Sequence, residues 1–425
     1  TAGAPEFRFF EIAAGAVLIL EKVTLENGVV VTGTGLAVNG GAILNQGTLE
    51  LIDSTIIGFI PPALMQQNAV LGGGLYNDVG AIANIKGSIF SQLEAGDGGA
   101  IYNVGTLPAI STTRFLENEA IGPLVVGTGF GGAIFNQVDA SIGLIRRNIF
   151  DQNQAPELGV GGAIYNSGFL GSVGSIDTIC YSTFSFNTAN FGGAITNAGK
   201  TSVITASTFS GNRSINSSGG GIVNQNTIGI ISNSTFSSND AGGTGGGLIN
   251  FDGVISAFTN NTVTLNSATA GGGFDNFSGV MLNIISNIIA NNTGDGSPDV
   301  NNSGIIGGKV AYNLIGNGNN VCPVPFDPAG PNLVGNCNSV PIIDPLLESL
   351  ANNGGPTLTH ALRPLSPAIG NGFNPAPQEL KFDQRGPGHP RTIDGSTDIG
   401  SYESCVDFDL DGDCDDNDCC LKDDL

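Results

Sequence analysis

Between Asp407 and Asp418 the chain reads Asp-Phe-Asp-Leu-Asp-Gly-Asp-Cys-Asp-Asp-Asn-Asp. Counted from Asp407, carboxylates fall at positions 1, 3, 5, 7, 9 and 12, with Gly412 at position 6. Calcium takes about six to eight oxygen ligands, which alternate residues of a tight loop can supply, and a glycine at the sixth position allows the sharp turn. Asp407, Asp409, Asp411, Asp413, Asp415 and Asp418 are therefore candidate Ca2+ ligands. Asp418 stands where such loops usually carry Glu, and no flanking helices are predicted, so an EF-hand proper is not expected. Without a cation, mutual repulsion among the Asp residues of 407–424 should keep the segment open. The competing reading is a solvated acidic terminus, against which the register and the glycine argue.

The same tail holds Cys405, Cys414, Cys419 and Cys420, while Cys322 and Cys337 flank a Pro/Gly/Asn-rich stretch. These six are disulfide candidates, as suits an oxidising, extracytoplasmic setting. A soft metal on the tail cysteines is the alternative. Cys180, alone within the repeats, is expected to be a buried thiol, with an intermolecular bridge as its alternative.

Elsewhere the residues of catalysis are sparse. The two histidines, His360 and His389, lie late in the chain, Arg146-Arg147 is the one basic pair in the repeats, and Trp is absent. Polysaccharide hydrolysis needs carboxylates roughly 5–10 Å apart on one face, and lysis needs carboxylates on calcium with a basic residue. Neither constellation is visible, so the chain is expected not to be an enzyme. A net charge of −23 with only 14 Lys and Arg repels nucleic acid and anionic lipid. No apolar run reaches transmembrane length. The first residues lack the pattern of a signal peptide, which is expected to have been removed.

What positions these residues is a repeat. Gly-Gly-(Ala/Gly)-apolar-x-Asn recurs with its last residue at Asn45, Asn77, Asn103, Asn136, Asn166, Asn197, Asn224, Asn250 and Asn276. A period of this size marks a solenoid, in which each unit buries its apolar face only against its neighbours. Strand alternation turns the fourth and sixth positions inward and the fifth outward to solvent. The asparagines should then form a buried, hydrogen-bonded ladder. About 15 residues after each motif comes Ser-Thr-Phe-Ser-x-Asn or a relative, as at Ser182–Asn187, Ser207–Asn212 and Ser234–Asn239. A third β-rich stretch lies between, giving three short strands per turn: a parallel β-helix.

The fifth position places Tyr76, Tyr102, Phe135 and Tyr165 on consecutive turns. This column is read either as stacking that stabilises the sheet or as a sugar-binding or subunit-docking stripe. Longer repeats carry apolar insertions at one corner, Ile60–Met65 and Ile121–Val126, and the candidate contact surface adds Leu64, Met65, Leu124 and Val125. Residues Phe7–Leu20 are strand-rich, and an uncovered first turn would be a template for another chain. A short helix is expected at Pro345–Leu350.

The GGAIYN-type repeats with trailing STFxxN resemble right-handed parallel β-helix surface proteins, including the polymorphic outer-membrane-protein type. The run Asp344-Pro-Leu-Leu-Glu-Ser-Leu-Ala-Asn-Asn-Gly-Gly-Pro-Thr-Leu-Thr-His-Ala-Leu362, then Ser366-Pro-Ala-Ile-Gly370, resembles the C-terminal signature of the choice-of-anchor Q β-helix family. Asp383-Gln-Arg-Gly386 and Thr397-Asp-Ile-Gly-Ser-Tyr-Glu403 resemble it too. The tail is similar to the calcium repeats of thrombospondin type 3 and dockerin-like modules, and departs from the sorting or anchoring element such proteins often carry. The resemblance covers roughly residues 7–403 and implies a secreted or surface-anchored protein.

The expected fold is all-β: a right-handed parallel β-helix of roughly 10–12 rungs over residues 1–316. A Pro-rich C-terminal cap over 317–404 and the calcium tail over 405–425 follow. The expected function is that of an extracellular structural or surface protein, self-assembling end to end into a filament, with calcium ordering the tail. Its partners would be copies of itself. The alternative is a monomeric adhesin binding surface glycans, and a polysaccharide lyase or hydrolase ranks third.

Overall fold

The computed structural model describes residues 7–28, 39–58, 71–122, 129–169, 171–319, 330–337, 340–374, 380–393 and 395–404. Among them there is no helix, and the strands stack into a parallel β-helix. The motif strands form an 11-stranded sheet from Phe10–Ile12 to Val300–Asn302. The intervening stretches form a 12-stranded sheet from Val17–Glu21 to Ile305–Ile306. The Thr-Phe-Ser strands form another of 12, from Thr24–Glu26 to Leu333–Val334. A fourth sheet, of six two- to seven-residue strands from Glu94–Ala95 to Asp240–Ala241, was not anticipated. It uses the residues that lead from the Phe strand back to the glycines. Every pairing between rungs in these sheets is parallel; the one antiparallel pair of strands among the described residues is a local hairpin, Gly168–Phe169 with Ser172–Val173.

Polar ladders occupy three corners of this coil. At the first, Asn45 Nδ2 donates to Asn77 Oδ1, and the same bond repeats through Asn103, Asn136, Asn166, Asn197, Asn224, Asn250, Asn276 and Asn302 at 2.7–2.9 Å. The nine predicted asparagines are all fully buried. At the second, Asn118, Asn153, Asn187, Asn212, Asn239, Asn266 and Asn292 link in the same way at 2.8–2.9 Å and end on Asp299. At the third, the backbone N–H of each rung donates to the next side-chain oxygen, from Ser54 through Ser88, Thr113, Asn148, Ser182, Ser207, Ser234, Asn261, Asn287 and Asn313 to Asn332.

The second and third corners share one device. A single residue with positive φ, such as Thr112 (50°), Arg147 (55°) or Gln152 (55°), turns the strand sharply. The next residue then points inward and takes up the backbone groups the turn has unpaired. Left-handed backbone costs a non-glycine residue about 1 kcal/mol, and the ladder bonds offset it.

Between the ladders the core is apolar. Phe90, Phe115, Phe150, Phe184, Phe209 and Phe236 stack along the axis with centroids 4.7–5.2 Å apart and planes within 12° of parallel. Columns of Ile and Leu from the motif and long sheets pack against them.

The C-terminal region departs from the expectation in two ways. The rod runs past residue 316, because Leu333–Val334 pairs with Leu314–Ile315 as a further rung and Ile343 N donates to Gly316 O. The described chain that follows turns back along the flank of the Phe sheet. Thr357 Oγ1 donates to Ala206 O, Thr208 Oγ1 to Leu358 O and Asn233 Nδ2 to Phe382 O, while Gly400 N reaches Ser286 O. Outward residues that are exposed in early rungs, such as Thr24 and Arg114, are replaced here by the buried Thr208, Thr235 and Thr262. The expected helix at Pro345–Leu350 is absent. Leu346 has a φ of 51°, Leu347 bridges antiparallel to Leu362, and Glu348 N donates to Ala361 O. Cross-chain pairing outcompetes a single helical turn, which is poorly stable alone.

Candidate functional site

The fifth motif residues stand in register from Leu44 through Tyr76, Tyr102, Phe135 and Tyr165 to Thr196, Val223, Ile249 and Asp275. They do not face open solvent. Tyr102 and Phe135 are 6% and 7% exposed, Tyr76 and Tyr165 are half-buried, and Thr196 through Asp275 are fully buried. The motif's first glycine is the cause. It has positive φ, and a Cβ there would lie 2.2 Å from Val223 Cγ2 at Gly219, or 2.6 Å from Ile249 Cβ at Gly245. The glycine corner thus folds directly onto the fifth side chain, and only a residue without Cβ permits the approach.

The aromatic column is continuous. Tyr76 and Tyr102 stack at 5.4 Å, Tyr102 meets Phe135 edge-on at 4.7 Å, and Phe135 stacks on Tyr165 at 5.3 Å. Phe130 lies against the last two at 5.9 and 5.0 Å. Apart from the edge-on Tyr102–Phe135 contact, the rings turn their faces to one another. Sugar recognition by stacking needs a free face, so as it stands this column is built for cohesion.

Three carboxylates beside it were missed from the sequence. Asp97 accepts the Phe130 N–H, and burial raises its carboxyl to about 6. Burial, and after it the nearby Asp97, pushes the Tyr102 hydroxyl upward. Glu94 and Glu119 are register neighbours in the short sheet. Burial raises both, and Glu94 raises Glu119 further. Burial and mutual repulsion both favour the neutral form of such a pair. Only the fourth sheet brings them together, which is why no linear motif announced them.

Both inserted segments leave from the corner beside this column, after Gly58 and after Gly122, and return just before Leu71 and Gly129. Leu64, Met65, Leu124 and Val125 lie outside the described residues. So do Asp407, Asp409, Asp411, Asp413, Asp415 and Asp418, and Cys322, Cys405, Cys414, Cys419 and Cys420. Among the described residues no group of three or more His, Cys, Asp and Glu is placed to hold a metal. Cys337 is disulfide-bonded. Cys180 is a free, buried thiol, pushed up by burial.

A second buried constellation lies where the returning segment clasps the flank. Arg391 is fully buried. Its Nη2 donates to Glu403 Oε2 at 2.7 Å and to Asp398 O, and its Nη1 to Gly400 O and Asn233 Oδ1. Arg385 donates to Asp383 Oδ2 at 2.7 Å and to Glu403 O, and its guanidinium lies 3.9 Å from the Tyr402 ring centroid. Gln384 bonds Thr208, Thr235 and Thr357. Burial raises the Glu403 carboxyl to about 8, against the pull of Arg391. His360 bridges Glu348 O and Ser237 Oγ at 2.7 and 2.9 Å, and burial lowers its pKa. The Asp383–Gly386 and Thr397–Glu403 motifs are therefore the two jaws of a clasp between segment and rod. Apart from Arg391 Nε, which has no partner among the described residues, the charges of this cluster are directed at backbone, at Asn233 or at an opposite charge, so the cluster positions the chain.

The chain matches no protein-family model, no curated protein and no solved structure.

Proposed function

We propose that the chain is an extracellular structural or surface protein, a rod that self-assembles end to end, with calcium ordering its Asp407–Asp418 tail. The observation that carries this reading is the uniform polarity of the rungs. Because the strands of all four sheets run parallel, the last edge of one copy has the hydrogen-bonding pattern its own first edge could continue. Among the described residues, Phe10–Ile12, Val17–Glu21 and Thr24–Glu26 pair on one side only, as do Val300–Asn302 and Ile305–Ile306. A head-to-tail contact of this kind does not close and yields a filament.

Other features support the reading without carrying it. The disulfide at Cys337 suits an oxidising compartment. The polar side chains of the repeats are used inside the coil, which suits a scaffold better than a catalyst. The resemblance of the C-terminal motifs to choice-of-anchor Q proteins points the same way. The spacing of the tail carboxylates favours calcium. The glycan-binding adhesin ranks second, because the aromatic faces it would use are already stacked on each other.

Negative-stain electron microscopy of the purified chain, with calcium and then with chelator, tests the proposal. Filaments that form with calcium and dissociate without it are expected. Filaments in both conditions would keep the polymer and remove calcium from the joint. Single short rods in both would overturn end-to-end assembly and move the adhesin to first place.

A further inference from the structure

The chain carries 14 Lys and Arg against 37 Asp and Glu, yet four of its cations share one patch. Lys86, Arg114, Arg146 and Arg147 are all exposed and occupy three consecutive rungs at the corner between the long and Phe sheets. The register fixes their proximity. Lys86 and Arg146 flank Ser111 in one column, Arg147 is the turn residue after Arg146, and Arg114 lies three residues beyond Ser111. None of the four makes an ion pair with a described residue, although Asp53 and Asp151 border the patch. The other lane of this corner, from Ala206 to Ser286, is covered by the returning segment. At the rungs of Lys86 to Arg147 no described segment lies over it.

The course of the clasp points at the patch. Gly400 N bonds Ser286 O, Ser401 bonds Thr262 and Thr235, and Glu403 N bonds Asp383 Oδ2. Asp383 is two residues from Arg385 and three from Gly386, where a Cβ would lie 3.2 Å from Tyr181 Cε1. Tyr181 is the turn residue one rung beyond Arg147, whose N–H donates to Cys180 O. Gly386 thus lies one rung from Arg147, and its neighbour Arg385 donates to the carbonyl of Glu403, next to the last described residue of this segment. Asp407 follows Ser404 by three residues, and an extended chain covers about 3.3–3.6 Å per residue.

We propose that the Asp-rich segment 407–418 docks, in the absence of calcium, on the basic patch formed by Lys86, Arg114, Arg146 and Arg147. Much of this strongly acidic surface repels that segment, and the patch lies a few rungs from its point of attachment. Tethering raises the local concentration of carboxylates at the patch, so several weak exposed pairs act together where each alone contributes little. The inference does not depend on the filament.

The test is zero-length carbodiimide cross-linking of the full chain in chelator at low ionic strength, read by mass spectrometry. An amide between Lys86 Nζ and a carboxylate of Asp407–Asp418 within one molecule is expected. Its yield should fall at least about fivefold in about 0.5 M salt, where screening acts within a few ångströms. The same fall is expected in Arg114→Glu/Arg146→Glu/Arg147→Glu, with an unchanged melting temperature confirming the fold. If the variant misfolds, the salt series on the native chain decides alone. A Lys86 link whose yield ignores salt, or tail carboxylates linked only to other lysines or between molecules, would overturn the proposal.

Discussion

One amide at Asn212 satisfies four groups. Its Oδ1 accepts from the Asn187 backbone and side chain, and its Nδ2 donates to Phe184 O and Asn239 Oδ1. A carboxylate of the same shape could accept but not donate, which explains where the chain does use Asp. Asp299 ends this ladder, accepting from Asn292 on Oδ1 and from Asn317 N on Oδ2, with no further rung to supply. Asn212→Asp should therefore cost roughly 2–4 kcal/mol, since two buried acceptors lose their donor beside a buried charge. Asn292→Asp should be at least as damaging, because it would place two carboxylates in contact. Urea midpoints at constant m-value check both. A midpoint change worth less than about 1 kcal/mol for Asn212→Asp would contradict the ladder's energetic role.

At the scale of elements, the clasp is the least repetitive part of the molecule and the most dependent on single residues. Arg391→Met leaves the buried Glu403 carboxylate and the Asp398 and Gly400 carbonyls without their donor. Breaking one side of a buried pair costs about 3–5 kcal/mol. Arg391→Met/Glu403→Gln should recover part of that loss. The damage should also be local. Hydrogen exchange is expected to rise over the rungs from Thr208 to Ser286, which the clasp covers, and to stay unchanged over Thr48 to Ile149. Uniform exchange across both regions would mean that segment and rod unfold as one unit. The element most easily misread was the Pro345–Leu350 stretch. Its local sequence suits a helical turn, but its backbone groups find partners in Ala361 and Arg363.

For the whole molecule the dominant quantity is negative charge, together with carboxyls that burial holds above their usual range. Asp97 and Asp299 are raised to about 6 and Glu403 to about 8. A carboxyl raised on folding binds its proton more tightly in the native state. Its contribution is fully present below the unfolded value and is lost as pH rises through the folded one. The melting temperature should therefore rise as pH falls from about 8.5 to 6.5. A proton held tenfold more tightly in the folded chain than in the unfolded one contributes about 1.4 kcal/mol. Relief of self-repulsion at a net charge of −23 acts in the same direction. Below the ordinary histidine range the trend should flatten, because His360 is buried neutral and loses stability when it protonates. Scanning calorimetry at several pH values checks the sign, and a melting temperature that climbs from pH 6.5 to 8.5 would contradict it. Asp299→Asn should remove its share of the slope near pH 6.

The sequence by itself determined the coil, because translational stacking turns every structural requirement into a visible period. An inward Asn or Phe needs the same residue one rung away to bond or stack with, so Asn103, Asn136 and Asn166, or Phe150, Phe184 and Phe209, had to recur. Only the tertiary structure decided what depends on unequal parts meeting. The fifth-position residues proved buried because a glycine corner folds onto them, and period alone does not say how closely a turn approaches. Glu94 and Glu119 became neighbours through a short sheet whose residues have no shared signature. Gln384, Arg391 and Ser401 meet Thr208, Asn233 and Thr235 across some 150 or more residues of chain, a contact made once and therefore without a repeat to reveal it.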